Sequence, residues 1–460
     1  DLRPDNLVVD IFNKNYFIPL NYDVTYPAFY EGKKVAEGHL EGVNGLSPRQ
    51  KVVVPVPADV LAAGNNYLTI EFRQPDDTPW AAQGYVQMAE QLCLYTQKEN
   101  YTTLKSQPEQ ALKIVQGGTE TDVQGKDFHV CFDDSNGSIN TMVYHGKTVI
   151  EPGCGPKLDA LRAPVDNDNW IRNQWFEWGL HCLQHRTTEA PVITAHKDGS
   201  VEISYNVISQ GNHAGKLQHR PGKAGEPYSA IEEGRELGKE DFHFTTRQTY
   251  TVYTDGSITL SSSILSSDPS AVLPRLGYLL KINKEYDNYT YYGRGPQNNY
   301  ADRKTGSFIG LYNSKVRNQF VKFPKPQSMG NREDVRWCAL TDKSGNGVQF
   351  VATTTMSTSA LPWSDMQLCL APHPFELPES DGVYLHLDAK VTGLGGNSCG
   401  QGGPLDEDRT FASARTFGFI IRPAVKDLTA NAKVSGAGEL PLTMECDRMG
   451  SLTITTERKD

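Results

Sequence analysis

The segment TYTVYTDGSITLSSSIL, from Thr249 to Leu265, indicates the fold class most directly. Apolar and polar residues alternate on both sides of its centre, which is the pattern of half-buried β-strands. The Asp255-Gly256 pair supplies the positive φ angles that a tight hairpin needs. The segment therefore predicts two antiparallel strands joined by a short turn.

The same pattern recurs along the chain and predicts an all-β protein. VEISYNVI (201–208) and FHVCF (128–132) alternate in the same way, and Asn-Gly pairs mark turns at 136–137 and 346–347. Helical periodicity is scarce, and only one short helix is expected, between Trp170 and Leu180.

Strand density and composition divide the chain into four parts. Residues 1–100 have the length and strand number of an immunoglobulin-like sandwich, and residues 101–114 are a polar linker. Residues 115–425 contain too many short strands for one small sandwich and predict a large antiparallel one. Residues 426–460 form a C-terminal appendage, and the Gly-, Lys- and Glu-rich stretch 211–240 is expected to be a mobile insertion.

Charge and hydropathy exclude some partners. The net charge of −10 argues against nucleic acid and suits a neutral ligand. No run of apolar residues reaches the length of a membrane span, so no membrane contact is expected. The first residues lack the features of a signal peptide. Localisation stays open between the bacterial cytoplasm and the periplasm.

The eight cysteines lie far apart, without a CxxC pair or a Cys/His cluster at zinc spacing. We therefore expect free, mostly buried thiols, no metal site and no cofactor in this chain.

Four motifs occur in one order: LRAPVDNDNW (161–170), GPQNNYADRKTG (295–306), GNREDVRW (330–337) and HLDAKVTGLGGNSCG (386–400). Together they resemble the C-terminal third of the large β-galactosidases of glycoside hydrolase family 2, over about 420 residues of this chain. The resemblance implies an immunoglobulin-like domain followed by a supersandwich of the galactose mutarotase type.

In that family the catalytic glutamates belong to a TIM barrel that precedes this region. The resemblance therefore implies a non-catalytic part of a retaining enzyme that hydrolyses terminal β-D-galactosides, with no catalytic residue here and no activity alone. The implied partners are the catalytic barrel and the galactoside substrate, with a homo-oligomer possible through the parent enzyme.

The resemblance also names candidates for a loop at the sugar pocket: Asp166, Asn167, Asp168, Trp170, Asn397 and Cys399. Two alternatives exist for the acidic and amide residues. They are either partners of their own loop backbone in Asx turns, or calcium ligands, although the glycine and distal glutamate of an EF-hand are missing. Gly400 stands where many members have a tryptophan of the sugar-binding wall. Candidates to replace it are Trp170, Trp175, Trp178 and Trp363.

The second and third motifs are expected to be architectural. Gly295 and Pro296 predict a sharp turn whose φ angles only glycine tolerates. Asp302 and Arg303 are expected to form an ion pair or to cap this turn. Arg332 and Trp337 are expected to have structural roles.

Two other functions remain open at this point. One is a carbohydrate-binding module without chemistry, using the aromatic residues between Trp170 and Trp178. The other is an aldose 1-epimerase, for which His373 and Glu376 are the nearest acid and base by chemistry.

Overall fold

The computed structural model describes residues 2–3, 8–55, 65–95, 102–104, 106–107, 111–219, 229–395, 402–434, 443–444 and 454–455. Contacts divide these residues into two units. The smaller unit holds the described residues up to 95 together with 308–311, 443–444 and 454–455. The larger unit holds the rest.

The smaller unit is a sandwich of two antiparallel sheets, ordered β1-β2-β5 and β4-β3-β6-β7. Val9 and Val54 of the first sheet share a buried core with Val24, Leu68 and Phe72 of the second. Its strands are β1 (Leu2–Arg3), β2 (Val8–Phe12), β3 (Asp23–Tyr30), β4 (Lys33–His39), β5 (Lys51–Pro55), β6 (Asn65–Arg73) and β7 (Val86–Tyr95).

The larger unit is built on one extensive antiparallel sheet system with short helices between strands. Its first strands are β8 (Lys113–Gly117), β9 (Glu120–Gln124), β10 (Phe128–Asp133), β11 (Ser138–Tyr144), β12 (Lys147–Ile150), β13 (Lys157–Asp159), β14 (Leu183–Thr187), β15 (Val192–Ala195), β16 (Val201–Gly211), β17 (His213–His219) and β18 (Ser229–Glu236). The next are β19 (His243–Val252), β20 (Ile258–Ser266), β21 (Val272–Leu273), β22 (Arg275–Ile282), β23 (Asn288–Gly295), β24 (Phe308–Lys315), β25 (Arg332–Thr341), β26 (Gly347–Leu361), β27 (Val383–Val391), β28 (Thr410–Phe411) and β29 (Arg415–Pro423).

Two further short strands, β30 (Thr443–Met444) and β31 (Ile454–Thr455), pair with each other. The described α-helices are α1 (Arg172–Glu177), α2 (Asp365–Leu370) and α3 (Leu428–Asn431). The 3₁₀ turns span Asp166–Trp170, Leu180–Cys182, Val316–Gln319, Pro374–Glu376 and Asp406–Asp408. In the described part of the chain, no helix is long and apolar enough to cross a membrane.

The alternating segments form the strands that their pattern predicts. β19 and β20 pair with Tyr250 opposite Leu260 and Val252 opposite Ile258, and the burial of β16 alternates along its whole length. Gly256 in the hairpin turn has a φ of 83°. With about 52% strand and 9% helix, the prediction of an all-β protein, an immunoglobulin-like sandwich followed by a large supersandwich, is confirmed.

Three segments differ from expectation in detail. The predicted linker reaches into the larger unit, where the Gln107 amide donates to Thr254 Oγ1. The predicted appendage begins with α3, whose Asn431 side chain donates to Gln349 of β26, so 426–434 also belong to the larger unit. The expected insertion contains two paired antiparallel strands, β17 and β18, which the polar composition of 211–240 did not predict.

Candidate functional site

The candidate pocket loop, Leu161–Trp170, is organised by one buried ion pair. Arg162 is fully buried and donates through Nη2 to Asp168 Oδ1 at 2.5 Å and through Nε to Asp168 Oδ2 at 3.0 Å. Asp168 Oδ2 also accepts from the backbone amide of Val165 at 2.9 Å, just before the 3₁₀ turn Asp166–Trp170. A two-point Arg–carboxylate contact fixes orientation as well as distance. The Asp168 carboxylate is therefore directed into the protein.

The same arginine attaches the loop to the fourth sequence motif. Arg162 donates to the backbone carbonyls of Thr392 and Gly393, which follow the end of β27. Asn167 adds a hydrogen bond from Nδ2 to the Leu394 carbonyl at 3.0 Å. Three hydrogen bonds, two from Arg162 and one from Asn167, thus hold the loop to residues 392–394.

The second motif reaches the same place through Asp302. Its carboxylate accepts from the backbone amides of Leu394 at 3.0 Å and Gly395 at 2.7 Å. A Cβ at Gly393 would lie 2.5 Å from Asp302 Cγ, so only glycine allows this approach. We call the meeting of Arg162, Asn167, Asp168 and Asp302 with residues 392–395 the loop junction.

Among the loop residues that remain accessible at the surface of the larger unit are Asp166 and Trp170. The Asp166 side chain is exposed, and no hydrogen-bond or ion-pair partner for it lies among the described residues. Trp170 is half-buried, with the Arg409 guanidinium 5.1 Å from its ring. A Cβ at Gly403 would lie 2.5 Å from the Trp170 ring. Asn397, Cys399 and Gly400 lie outside the described residues.

The second motif is joined to the third motif by a network of hydrogen bonds from amide groups. Asn299 donates to the carbonyls of Arg294 and Gln297 and accepts from the Glu333 amide, while Asn331 donates to the Asn299 carbonyl. Two sequence motifs separated by about 30 residues are therefore one structural element.

The reason for glycine at position 295 differs from our expectation. Its φ is not positive. Instead, a Cβ there would lie 2.3 Å from Tyr291 Oη and 2.8 Å from the Tyr312 ring. Gly295 and Pro296 are joined by a cis peptide bond at the end of β23. Close packing, and not a left-handed backbone, thus excludes a side chain at Gly295.

Asp302 and Arg303 do not pair with each other. Arg303 donates to Asn298 Oδ1 at 2.7 Å, and Asp302 serves the loop junction instead. Arg332 is buried and donates to Tyr291 Oη and Gln319 Oε1. Trp337 is buried beside Tyr292, with ring centroids 6.5 Å apart.

Comparison with known proteins identifies the family. A family model of the β-galactosidase small chain matches residues 124–421. The chain belongs to this family. A second family model, β-galactosidase domain 4, matches residues 9–95, and so covers most of the smaller unit, while the small-chain match covers most of the larger one.

Curated relatives carry the same description. A β-galactosidase of Priestia megaterium is 28% identical over 85% of this chain and 35% of its own length. β-Galactosidases of Halalkalibacterium halodurans and Streptococcus thermophilus are each 25% identical over 91% of this chain, and over 39% and 38% of their own lengths. The chain thus spans little more than a third of the relatives it matches.

Among solved structures, a galactose 1-epimerase from Lactobacillus acidophilus covers 68% of this chain and 98% of its own, with 8% identity and a TM-score of 0.34. A TM-score of this size supports no argument about activity. His373 and Glu376 were the acid and base considered for an aldose 1-epimerase. Their side chains lie 3.1 Å apart on an exposed 3₁₀ turn, and the His373 ring stacks on Phe375.

The larger unit also contains a cleft of about 360 Å³. Its polar lining residues include Asp159, His185, Lys281, Asp365 and Tyr384. Asp159 and Asp365 of this lining belong to a group of ionisable residues that we call the cleft charge cluster. It comprises Asp159, Arg275, Asp365, His386 and Asp388.

Contacts within the cleft charge cluster differ in length, and only that between His386 and Asp365 is short. His386 Nε2 lies 2.8 Å from Asp365 Oδ2, whereas its Nδ1 lies 3.6 Å from Asp159 Oδ2. Arg275 lies 3.7 Å from both Asp365 and Asp388. Both oxygens of Asp388, His386 Nδ1, and Nε and Nη1 of Arg275 have no hydrogen-bond partner in the described part of the chain.

The two carboxyl groups at the cleft, Asp159 and Asp365, differ in pKa because their surroundings differ. Burial raises the pKa of Asp159 to about 6, in spite of the nearby His386. Burial also opposes ionisation of Asp365, but Arg275 and His386 outweigh it and hold the pKa of this carboxyl at about 2. One carboxyl group therefore titrates around pH 6, while its neighbour stays charged throughout that range.

The other aromatic candidates are part of the packing. Trp175 is fully buried and donates to the Val272 carbonyl. Trp178 stacks on Phe242 at 5.2 Å. Trp363 donates to the Pro378 carbonyl and contacts Phe320. Of the four tryptophans, only Trp170 lies on the candidate loop itself.

Arg162 of the first motif anchors the loop, a role that the sequence analysis did not predict. The signal was available, because an arginine six residues before an aspartate in one loop suits a two-point contact. The cleft charge cluster had no such signal. Its members come from β13, β22, α2 and β27, and only the pairing of these strands brings them together.

Proposed function

We propose that this chain is a non-catalytic part of a β-galactosidase acting on terminal β-D-galactosides, and that the Leu161–Trp170 loop completes the sugar pocket of the catalytic barrel. The observation that carries the proposal is the loop junction. It fixes a surface loop through a buried ion pair and through hydrogen bonds to the backbone of the fourth motif. Asp302 of the second motif holds that backbone in turn.

Fixing a loop in this way lowers the entropy cost of using it to bind a ligand. The polar groups that face inward, those of Asp168 and Asn167, are occupied with holding the loop. The exposed carboxylate of Asp166 is the group available to accept hydrogen bonds from sugar hydroxyls, and the half-buried ring of Trp170 offers an apolar edge beside it. Asp166 and Trp170 are therefore the contact residues of the proposal.

The decisive experiment uses the complete β-galactosidase that contains this chain. Asp166→Ala should lower kcat/KM ten- to a hundredfold, about 1 to 3 kcal/mol of transition-state stabilisation, without changing the melting temperature. Asp127→Ala is a matched control, because Asp127 is also an exposed carboxylate, in the turn between β9 and β10. Normal kinetics for Asp166→Ala would contradict the pocket role.

A second measurement addresses catalysis. The chain on its own should not hydrolyse a chromogenic β-galactoside above background, whereas the complete enzyme should. Turnover by the isolated chain at a rate comparable to that of the complete enzyme would contradict the non-catalytic role.

The presence of the cleft favours a second candidate function, that of a carbohydrate-binding module. Its volume and its mixture of carboxyl, imidazole, amine and phenol groups are compatible with a monosaccharide. Calorimetric titration of the isolated chain with galactose separates the candidates. Saturable binding that is lost in Tyr384→Phe or His185→Gln would favour the cleft, and no binding would favour a pocket completed only by the barrel.

A further inference from the structure

Three metal-ligating side chains meet at the edge of the cleft. One donor atom each from His181, Cys182 and His213 lies within 4.8 Å of the other two. His181 and Cys182 belong to the 3₁₀ turn Leu180–Cys182, and His213 is the first residue of β17. Gly179, with a φ of 71°, reverses the chain immediately before this turn.

The His181 ring has no other role in the described structure. Both its nitrogens are buried and lack a hydrogen-bond partner there. Its ring neighbours are Phe176 at 5.3 Å and His213 at 5.2 Å, the second in edge-on geometry. Since buried polar atoms are nearly always satisfied, two unsatisfied nitrogens on one ring indicate a missing partner.

Close contacts hold two of these side chains in place. A Cβ at Gly215 would lie 2.7 Å from His181 Cε1 and 2.9 Å from Nε2, so any larger residue at this position would displace the ring. Cys182 Sγ lies 3.4 Å from the His213 carbonyl oxygen, which places the sulfur over the start of β17.

We propose that His181, Cys182 and His213 bind a zinc ion. Two imidazoles and one thiolate form a donor set that zinc accepts with tetrahedral geometry and an open fourth position. Typical zinc bonds of about 2.0 to 2.3 Å require the three donor atoms to move together by roughly 1 Å. Rotation of two half-buried rings and one side chain provides that movement.

Two further features support the site. Its fourth position goes to water or to Glu233, whose exposed carboxylate lies 3.8 Å from His213 Nε2. His181 and Cys182 both line the cleft, which gives the ion a path from solvent. The bound ion would cross-link the turn after α1 to β17. This inference is independent of the proposed function.

The test uses the purified chain after treatment with EDTA. Calorimetry should show one zinc ion bound per chain, and zinc should raise the melting temperature because the ion binds the folded state preferentially. Cobalt(II) should give a thiolate-to-metal charge-transfer absorption band together with the intense visible bands of a tetrahedral complex.

Cys182→Ser and His213→Asn should each weaken zinc binding at least tenfold, and Cys182→Ser should abolish the charge-transfer band. Cys154→Ser and His145→Asn are the controls. Cys154 is a second thiol at the cleft, and His145 is an exposed histidine whose positive φ asparagine tolerates. Circular dichroism of the metal-free variants checks that they fold.

Stoichiometric binding lost only in the first two variants supports the site. The proposal fails if the wild-type chain binds no zinc, if the charge-transfer band survives Cys182→Ser, or if the controls weaken binding equally. Gly215→Ala gives a test that removes no ligand. It should weaken binding by crowding the His181 ring, and unchanged affinity would contradict the proposed position of the ion.

Discussion

The loop junction and the cleft charge cluster both contain a buried arginine and buried aspartates, but they are satisfied to different degrees. At the junction both oxygens of Asp168 accept hydrogen bonds from Arg162. In the cleft charge cluster Asp388 and Arg275 face each other at 3.7 Å without a hydrogen bond. A fully satisfied buried network rigidifies and specifies one arrangement, whereas an unpaired buried polar group is costly. Removing a charge should therefore cost more stability at the junction than in the cluster.

The largest expected effect is that of breaking the junction. Asp168→Asn leaves the Arg162 charge buried without its partner, so the free energy of unfolding should fall by about 3 to 5 kcal/mol. Urea denaturation measures the change. Asp166→Asn, two residues away and exposed, should change it by less than about 0.5 kcal/mol. Equal losses in the two variants would show that Asp168 is not the anchor.

A pH dependence is expected from the cleft charge cluster. The Asp159 pKa of about 6 lies above its ordinary value of 3.8. The folded chain therefore holds a proton that the unfolded chain releases, and this contribution to stability is present below about pH 4 and lost as the pH rises through 6. Asp159→Asn cannot lose a proton.

The free energy of unfolding of Asp159→Asn, relative to wild type, should therefore rise by about 1 to 3 kcal/mol between pH 4 and pH 7. Denaturation curves at several pH values measure it. The junction offers the matching control, because Asp168→Asn should be destabilising at both ends of this range. A flat difference for Asp159→Asn would mean that its carboxyl group titrates normally.

The second motif, which supplies Asp302, also contains a tightly packed glycine and a loosely packed one. Gly295→Ala should lower the free energy of unfolding by about 1 to 3 kcal/mol, because the added methyl group meets Tyr291 and Tyr312. Gly306→Ala, in the same motif but with open space around it, should be nearly neutral. Similar melting temperatures for both variants would contradict the close packing at Gly295.

The smallest effect should come from Asp388. Its carboxylate is buried but accepts no hydrogen bond from described residues, and burial raises its pKa. Asp388→Asn removes the cost of burying a charge, while Arg275 keeps Asp365 as a neighbour. The loss of stability should be below about 1 kcal/mol. A loss as large as that of Asp168→Asn would remove the distinction between the two regions.

The fold was predictable because its signals are local. Period-two alternation places β16, β19 and β20, and Asp255-Gly256 places the turn between the last two, all within a few residues of sequence. The candidate site was predictable only in part. The motifs identified the loop, but which side chains face inward depends on contacts between Arg162 and residues about 230 positions away.

The proposed zinc site was harder still to predict from the sequence. His181 and Cys182 are adjacent, but His213 follows after a spacing that matches no zinc motif. Our expectation of no metal site rested on that spacing. The meeting of the Leu180–Cys182 turn with the start of β17 depends on the pairing of β14 with β16, which is a tertiary contact and not a property of either segment.

The loop junction limits how this loop can be exchanged between related enzymes. A segment fastened by residues that lie far from it in sequence is not an independent module. Transplanting Leu161–Trp170 alone into a related protein would separate Arg162 from the segment whose carbonyls it binds, at Thr392 and Gly393. A working chimaera must carry Asp302 and residues 392–395 together with the loop, so the three motifs are expected to be inherited and engineered as a single unit.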